Sequence, residues 1–118
     1  MVNGSHVIFY AKDADRVRGF FKDVLQLSSA DAGHGWLIFA LPPAEFAVHP
    51  TDGKPHYELY LMCDNLHDTM KDLQAKGTEF AHPVKEERWG SVTAIKLPGG
   101  GELGLYEPRH PTALKPDR

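Results

Sequence analysis

Seven histidines in 118 residues are a mild excess, and imidazole both ligates metals and carries protons near neutral pH. Sixteen acids against thirteen bases give a net charge of −3. That balance argues against nucleic acid or an anionic membrane as the main partner. The single cysteine, Cys63, excludes an internal disulfide and any multi-cysteine metal site. Gly99-Gly-Gly-Glu-Leu-Gly104 matches the G-x-G-x-x-G pattern of dinucleotide loops. The match fails on context, because such a loop opens a helix. Here Leu103 to Glu107 alternates as a strand and Pro108 closes it. His34, His67, His82 and His110 fall in loops, on a helix surface or in the tail, and carry no assigned role.

Hydrophobic residues at 42% and charged residues at 25% are ordinary for a folded domain and exclude a long disordered chain. The longest apolar runs, Val7 to Ala11 and Trp36 to Leu41, fall far short of the ~20 residues of a membrane helix. No charged-then-apolar leader opens the sequence, so a cytoplasmic protein is expected.

The elements that must position any chemistry follow one order twice. His6 to Ala11 reads as a strand. Asp13 then caps a helix whose apolar stripe is Val17, Phe20, Phe21, Val24 and Leu25. Ser28 to Gly35 holds a weak strand at best, Trp36 to Leu41 is a short apolar strand, and Glu45 to His49 alternates again. Pro50 to Pro55 is a linker. Tyr57 to Cys63 is the next strand, and Asp64 and Asn65 offer caps. Leu66, Met70 and Leu73 form a helical stripe ending at Gly77. Glu79 to Lys85, Ser91 to Leu97 and Glu102 to Glu107 complete the second set. The expectation is an α+β protein of two tandem βαβββ modules, residues 4–50 and 55–108, forming one domain over 4–108 with a tail at 109–118. Neither module, at about 55 residues, buries a sheet face and a helix alone.

Strand alternation assigns faces. Val7, Phe9 and Ala11 would face the first helix, with Phe46 and Val48. Leu59, Leu61, Cys63, Leu103 and Leu105 would face the second, which makes Cys63 a buried, inert thiol. His6, Tyr10, Glu45, His49, Glu58, Tyr60, Glu102, Gly104 and Tyr106 then lie on the opposite face.

The paired order resembles the vicinal oxygen chelate superfamily, which includes glyoxalase I, the fosfomycin and bleomycin resistance proteins and the extradiol dioxygenases. The residues that carry the resemblance are His6-Val-Ile-Phe-Tyr-Ala-Lys-Asp13, Glu58-Leu-Tyr-Leu-Met-Cys-Asp64 and Leu97-Pro-Gly-Gly-Gly-Glu-Leu-Gly-Leu-Tyr-Glu-Pro108. It implies a curved, cup-like mixed sheet with helices on the outer face. It also implies metal ligands at His6, His49, Glu58 and position 104. Gly104 departs from that pattern, which leaves His6, His49 and Glu58 as the metal set; Glu102, two residues away, reads as a turn-flanking acid in solvent before it reads as a substitute carboxylate. Glu45 and His56 would stand behind the ligands, or at the rim. Tyr10, Tyr60, Trp89, Glu102 and Tyr106 would touch the small molecule in the cup. Trp36 reads equally as core, and Arg88 as an exposed turn residue.

Two functions follow from the resemblance. One is a divalent-metal-dependent lyase, isomerase or dioxygenase acting on a small oxygen-bearing metabolite, with iron, manganese, zinc or nickel as the ion. The other is a metal-free protein that sequesters a drug or metabolite. A purely structural module would have a filled cup. Relatives pair modules across chains, so a homodimer is expected.

Overall fold

The computed structural model describes residues 6–45 and 47–111. The second set of elements is complete. β3 (Tyr60–Met62), α2 (Leu66–Ala75), β4 (Lys85–Glu87), β5 (Gly90–Lys96) and β6 (Glu102–Pro108) form a βαβββ unit. Its sheet runs β3-β6-β5-β4, with β3 parallel to β6 and the other pairs antiparallel. A parallel pair needs a crossover, and α2 supplies it. Asn65 caps α2 by accepting from the Asp68 amide at 3.0 Å. Gly77, at φ 89°, ends it where a side chain would be strained.

The first set of elements is sparser. α1 (Ala14–Gly19) starts at Asp13, whose carboxylate accepts from the Arg16 amide. It continues as a π-helical turn over Phe20–Val24, closed by the Leu25 amide donating to the Phe20 carbonyl at 3.1 Å. β1 (Ser29–Asp31) and β2 (Leu37–Phe39) form a separate antiparallel pair. The expected strand at 6–11 is not in a ladder. Its Phe9 ring nonetheless lies 5.5 Å from Phe21, on the helix side that alternation assigns. No strand is assigned at the described residues of 45–49, and Phe46 lies outside the described residues. The strand expected at 79–85 is also interrupted. Glu79 and Ala81 bond β5 through the Lys96 amide and the Ala94 carbonyl, but pairing breaks at His82–Pro83 and resumes at Lys85. Proline has no amide to donate to a ladder.

One core unites both parts. Val17, Phe20 and Phe21 of the first helical segment pack with Leu66, Leu73, Ile95, Leu103 and Leu105. Leu59, Leu61 and Cys63 close its margin, as period-two alternation requires. Thr93, 1% exposed, satisfies its hydroxyl by donating to the His82 carbonyl at 2.8 Å. Among the described residues no helix is long and apolar enough to cross a membrane.

Leu103 is 1% exposed at the centre of this cluster. Leu103→Ala is expected to lower the unfolding free energy by about 2–5 kcal/mol, read from the urea midpoint. A loss below about 1 kcal/mol would mean that the two helical segments do not share this core.

Candidate ligand site

The face of β3 and β6 turned away from the helices carries three aromatic rings. Tyr60 comes from β3, Tyr106 from β6, and Trp89 from the turn between β4 and β5. Parallel pairing sets Met62 opposite Tyr106 and Tyr60 opposite Gly104. The ring centroids lie 5.7 Å apart for Tyr60 and Tyr106, 5.3 Å for Trp89 and Tyr106, and 6.2 Å for Tyr60 and Trp89. All three contacts are edge-on, the orientation that ring quadrupoles favour. Tyr60 and Trp89 remain 38% and 39% exposed, so the rings form an open shelf.

Gly104 is the floor of this shelf. A Cβ at that position would overlap the Tyr60 ring, so the absence of a side chain is what lets the ring lie down. The place where the resemblance expected a fourth ligand is therefore covered by an aromatic ring.

Polar groups surround the rings. The Tyr60 hydroxyl donates to Glu58 at 3.2 Å. The other Glu58 oxygen lies 3.6 Å from His56 Nε2. His56 Nδ1 faces the Lys54 carbonyl at 3.0 Å and must donate to it. His110 is placed likewise, with Nδ1 on the Pro111 carbonyl at 2.8 Å and Nε2 at 3.1 Å from the Tyr106 hydroxyl, which then donates. Burial, the Glu58 charge and the bond to Glu58 push the Tyr60 phenol above its ordinary range. Burial and the Glu45 charge do the same for Tyr106. Both rings are thus held neutral, as donors rather than phenolates.

Of the residues expected at the site, Tyr60, Trp89 and Tyr106 are brought together. Tyr10 is 93% exposed. Glu102 is exposed at the start of β6, on the shelf's face. His6, His49 and Glu58 are exposed, and Glu58 is engaged with Tyr60 and His56. Among the described residues no three or more His, Cys, Asp or Glu side chains are placed to hold a metal. His6, His49 and Glu58 are therefore not grouped within the described residues of one chain. Trp36 is 66% exposed, with the Arg18 guanidinium 4.9 Å from its ring centre. A groove of about 710 Å³ lies at the other end of β5 and β6, between α1 and the Pro98–Gly101 turn. Its lining mixes Arg16, Lys76 and Lys96 with Glu79 and Glu102 and includes none of the three rings.

Sequence reasoning missed Arg109 and His110, which open the segment read as a tail. Both are bonded to the sheet instead. The available signal was spacing: His110 follows Tyr106 by four residues, just beyond the strand-ending Pro108.

No family model matches the chain, and no curated protein matches it. Solved structures do. The antibiotic-binding protein TnmS3 from Streptomyces sp. CB03234 aligns with a TM-score of 0.62 at 22% identity, over 92% of this chain and 99% of that one. Lactoylglutathione lyase from Agrobacterium tumefaciens aligns at 0.64 and 14%, over 89% and 92%. A member of the glyoxalase/bleomycin resistance protein/dioxygenase superfamily from Sphaerobacter thermophilus aligns at 0.61 and 18%, over 90% and 98%. The chain has the vicinal oxygen chelate fold. That fold carries both a lyase and an antibiotic-binding protein among these neighbours.

Two of the three causes that raise the Tyr60 pKa come from Glu58. Glu58→Gln is therefore expected to let Tyr60 ionise at lower pH, leaving only the effect of burial. Ultraviolet difference titration reads the phenolate directly. An unchanged titration in the variant would show that the hydroxyl does not face the carboxylate.

Proposed function

We propose that the protein binds a planar aromatic small molecule on the Tyr60, Trp89 and Tyr106 shelf and does so without a metal. The observation that carries this reading is the Tyr60 ring lying over Gly104. A side chain at 104 would force the Tyr60 ring out of the place it occupies. The ring offers instead an exposed apolar surface at the same place, with Trp89 beside it. A flat aromatic ligand gains dispersion and quadrupole contacts on such a shelf. The Tyr60 and Tyr106 oxygens, with Glu58 at its edge, supply the few placed polar groups a small-molecule site needs. Likeness in fold to an antibiotic-binding protein supports sequestration as the use of that binding.

The test is calorimetric. Acridone, proflavine and 9-anthracenecarboxylate give a neutral, a cationic and an anionic planar probe. The protein is expected to bind at least one of them. Tyr60→Ala, Trp89→Ala and Tyr106→Ala should each cost about 1–2 kcal/mol, roughly a tenfold loss in affinity. The enzymatic alternative makes the opposite forecast. Stoichiometric binding of a divalent ion that His6→Ala, His49→Ala and Glu58→Ala each abolish, with no probe bound, would overturn the metal-free reading.

The same reading includes a second copy of the chain. Val7, Ile8, Trp36, Ile38 and Val48 are 48–86% exposed in the first module. β3 is an open edge of the four-stranded sheet. Pairing module one of one chain with module two of another would cover these side chains and wall the shelf. Sedimentation is expected to give a species of twice the 13.1 kDa chain mass. A 13.1 kDa species alone at micromolar concentration would count against it.

A further inference from the structure

Trp89 is the one ring of the shelf that comes from a turn rather than a strand. A turn alone does not fix a large side chain against two neighbours. The residue that spans this turn is Arg109, immediately after β6. Its backbone amide donates to the Trp89 carbonyl at 2.8 Å. Nη2 donates to the Glu87 carbonyl at 2.6 Å, on the near side of the turn. Nη1 lies 3.0 Å from both the Glu86 carboxylate and the Ser91 hydroxyl, one on each strand. Ser91 in turn donates to the same Glu86 oxygen at 2.7 Å. One guanidinium thus reaches both limbs of the hairpin while its amide holds the turn between them.

The hairpin is also pressed onto β6 at its base. Gly90 pairs with Pro108, and a Cβ at 90 would collide with the Glu107 carbonyl oxygen. Backbone contact therefore brings the turn to the end of β6. Pairing of Glu87 with Gly90 and the Arg109 amide on the Trp89 carbonyl place the main chain of the Arg88–Trp89 turn, and the Arg109 side chain adds a brace across its two limbs.

We infer that Arg109 is a positioning residue for the ligand shelf: its fork across the β4–β5 hairpin holds Trp89 edge-on to Tyr106 and Tyr60. This rests on the proposed binding role of the shelf, and it adds a residue whose bonds go to Glu86, Glu87, Ser91 and the Trp89 carbonyl. Planarity is what the role demands. A guanidinium presents several donors in a fixed fork, whereas an ammonium is a single point of charge. Lysine at 109 can meet Glu86 or the Glu87 carbonyl, but not both in the same geometry.

The experiment uses the full chain with Trp36→Phe, so that Trp89 is the sole tryptophan. Acrylamide quenching and anisotropy of Trp89 are measured without ligand, and probe affinity by calorimetry. Arg109→Ala is expected to raise quenching at least twofold and lower anisotropy, with the far-ultraviolet dichroism unchanged. It should weaken the best probe about tenfold, equal to about 1.4 kcal/mol. Arg109→Lys should fall between parent and alanine variant. Glu86→Gln, which keeps the size of the side chain and removes its charge, should shift quenching in the same direction. It stands in if the alanine variant does not fold. Quenching that stays at the parent value in Arg109→Ala, or in Glu86→Gln where the alanine variant is unfolded, overturns the inference whether or not any probe binds. Raised quenching with unchanged affinity also overturns it, since the ring would then be held for no binding purpose. If the parent protein binds no probe, the binding reading fails instead, and quenching alone decides whether Arg109 holds Trp89.

Discussion

A β-strand has two faces and no third option, and that constraint organises this molecule. Ile95, Leu103 and Leu105 must point at the helices, because they are the centre of the buried cluster. Once they do, Gly104 and Tyr106 point the other way, and the parallel partner strand sends Tyr60 to the same side. The shelf is thus the obverse of the core. Moving β6 by one residue would expose Leu103 and Leu105 and bury Tyr106, so hydrophobic burial on one side fixes the register of the rings on the other.

The core also explains why the first helical segment sits where it does. Phe20 and Phe21 are adjacent in sequence, and both are buried. An α-helix turns adjacent residues about 100° apart, so burying both widens the apolar face. The π-helical turn over Phe20–Val24 alters that angle locally, and the two rings meet edge-on at 5.8 Å. Phe21 then takes Phe9 on one side and Phe39 on the other. Through the buried cluster Phe20 and Phe21 also meet Leu66, Leu73, Ile95, Leu103 and Leu105, and this ties the first helical segment to the four-stranded sheet and α2.

Legibility in the sequence followed the strength of these constraints. Alternation at Leu59, Leu61, Leu103 and Leu105 was plain because one face of each strand is packed on the buried cluster and the other is not. The Asp13 cap was readable because capping is local chemistry, and the second was narrowed to Asp64 or Asn65, of which Asn65 is the cap. The strand at 6–11 was equally apolar, yet apolar composition does not say which edge a strand joins. At 79–85 the pattern was right for Glu79 to Ala81, and Pro83 decided where pairing stopped. Tyr60 and Tyr106 were nameable from faces and Trp89 only as an aromatic of the turn, but the closeness of the three depends on the parallel register of Tyr60 with Gly104, a contact between residues 44 positions apart in number. Arg109 left no periodic trace, since its partners are a carbonyl, a hydroxyl and a carboxylate scattered over the hairpin.

The parallel pairing of β3 with β6 has a kinetic meaning. Trp89 and Tyr106 belong to a meander, β4-β5-β6, whose strands join through short turns and close small loops. Tyr60 arrives only when β3 docks beside β6, after the chain has crossed over through α2. Long-range parallel contacts recover their loop-closure entropy late, so they set the pace of folding. On this topology two rings of the shelf are expected from local pairing and the third from the long-range one. The pairing that completes the three-ring shelf is also the one that brings Leu59 and Leu61 onto the margin of the core. A chain caught before that step would show a Trp89–Tyr106 pair with an unfilled place over Gly104.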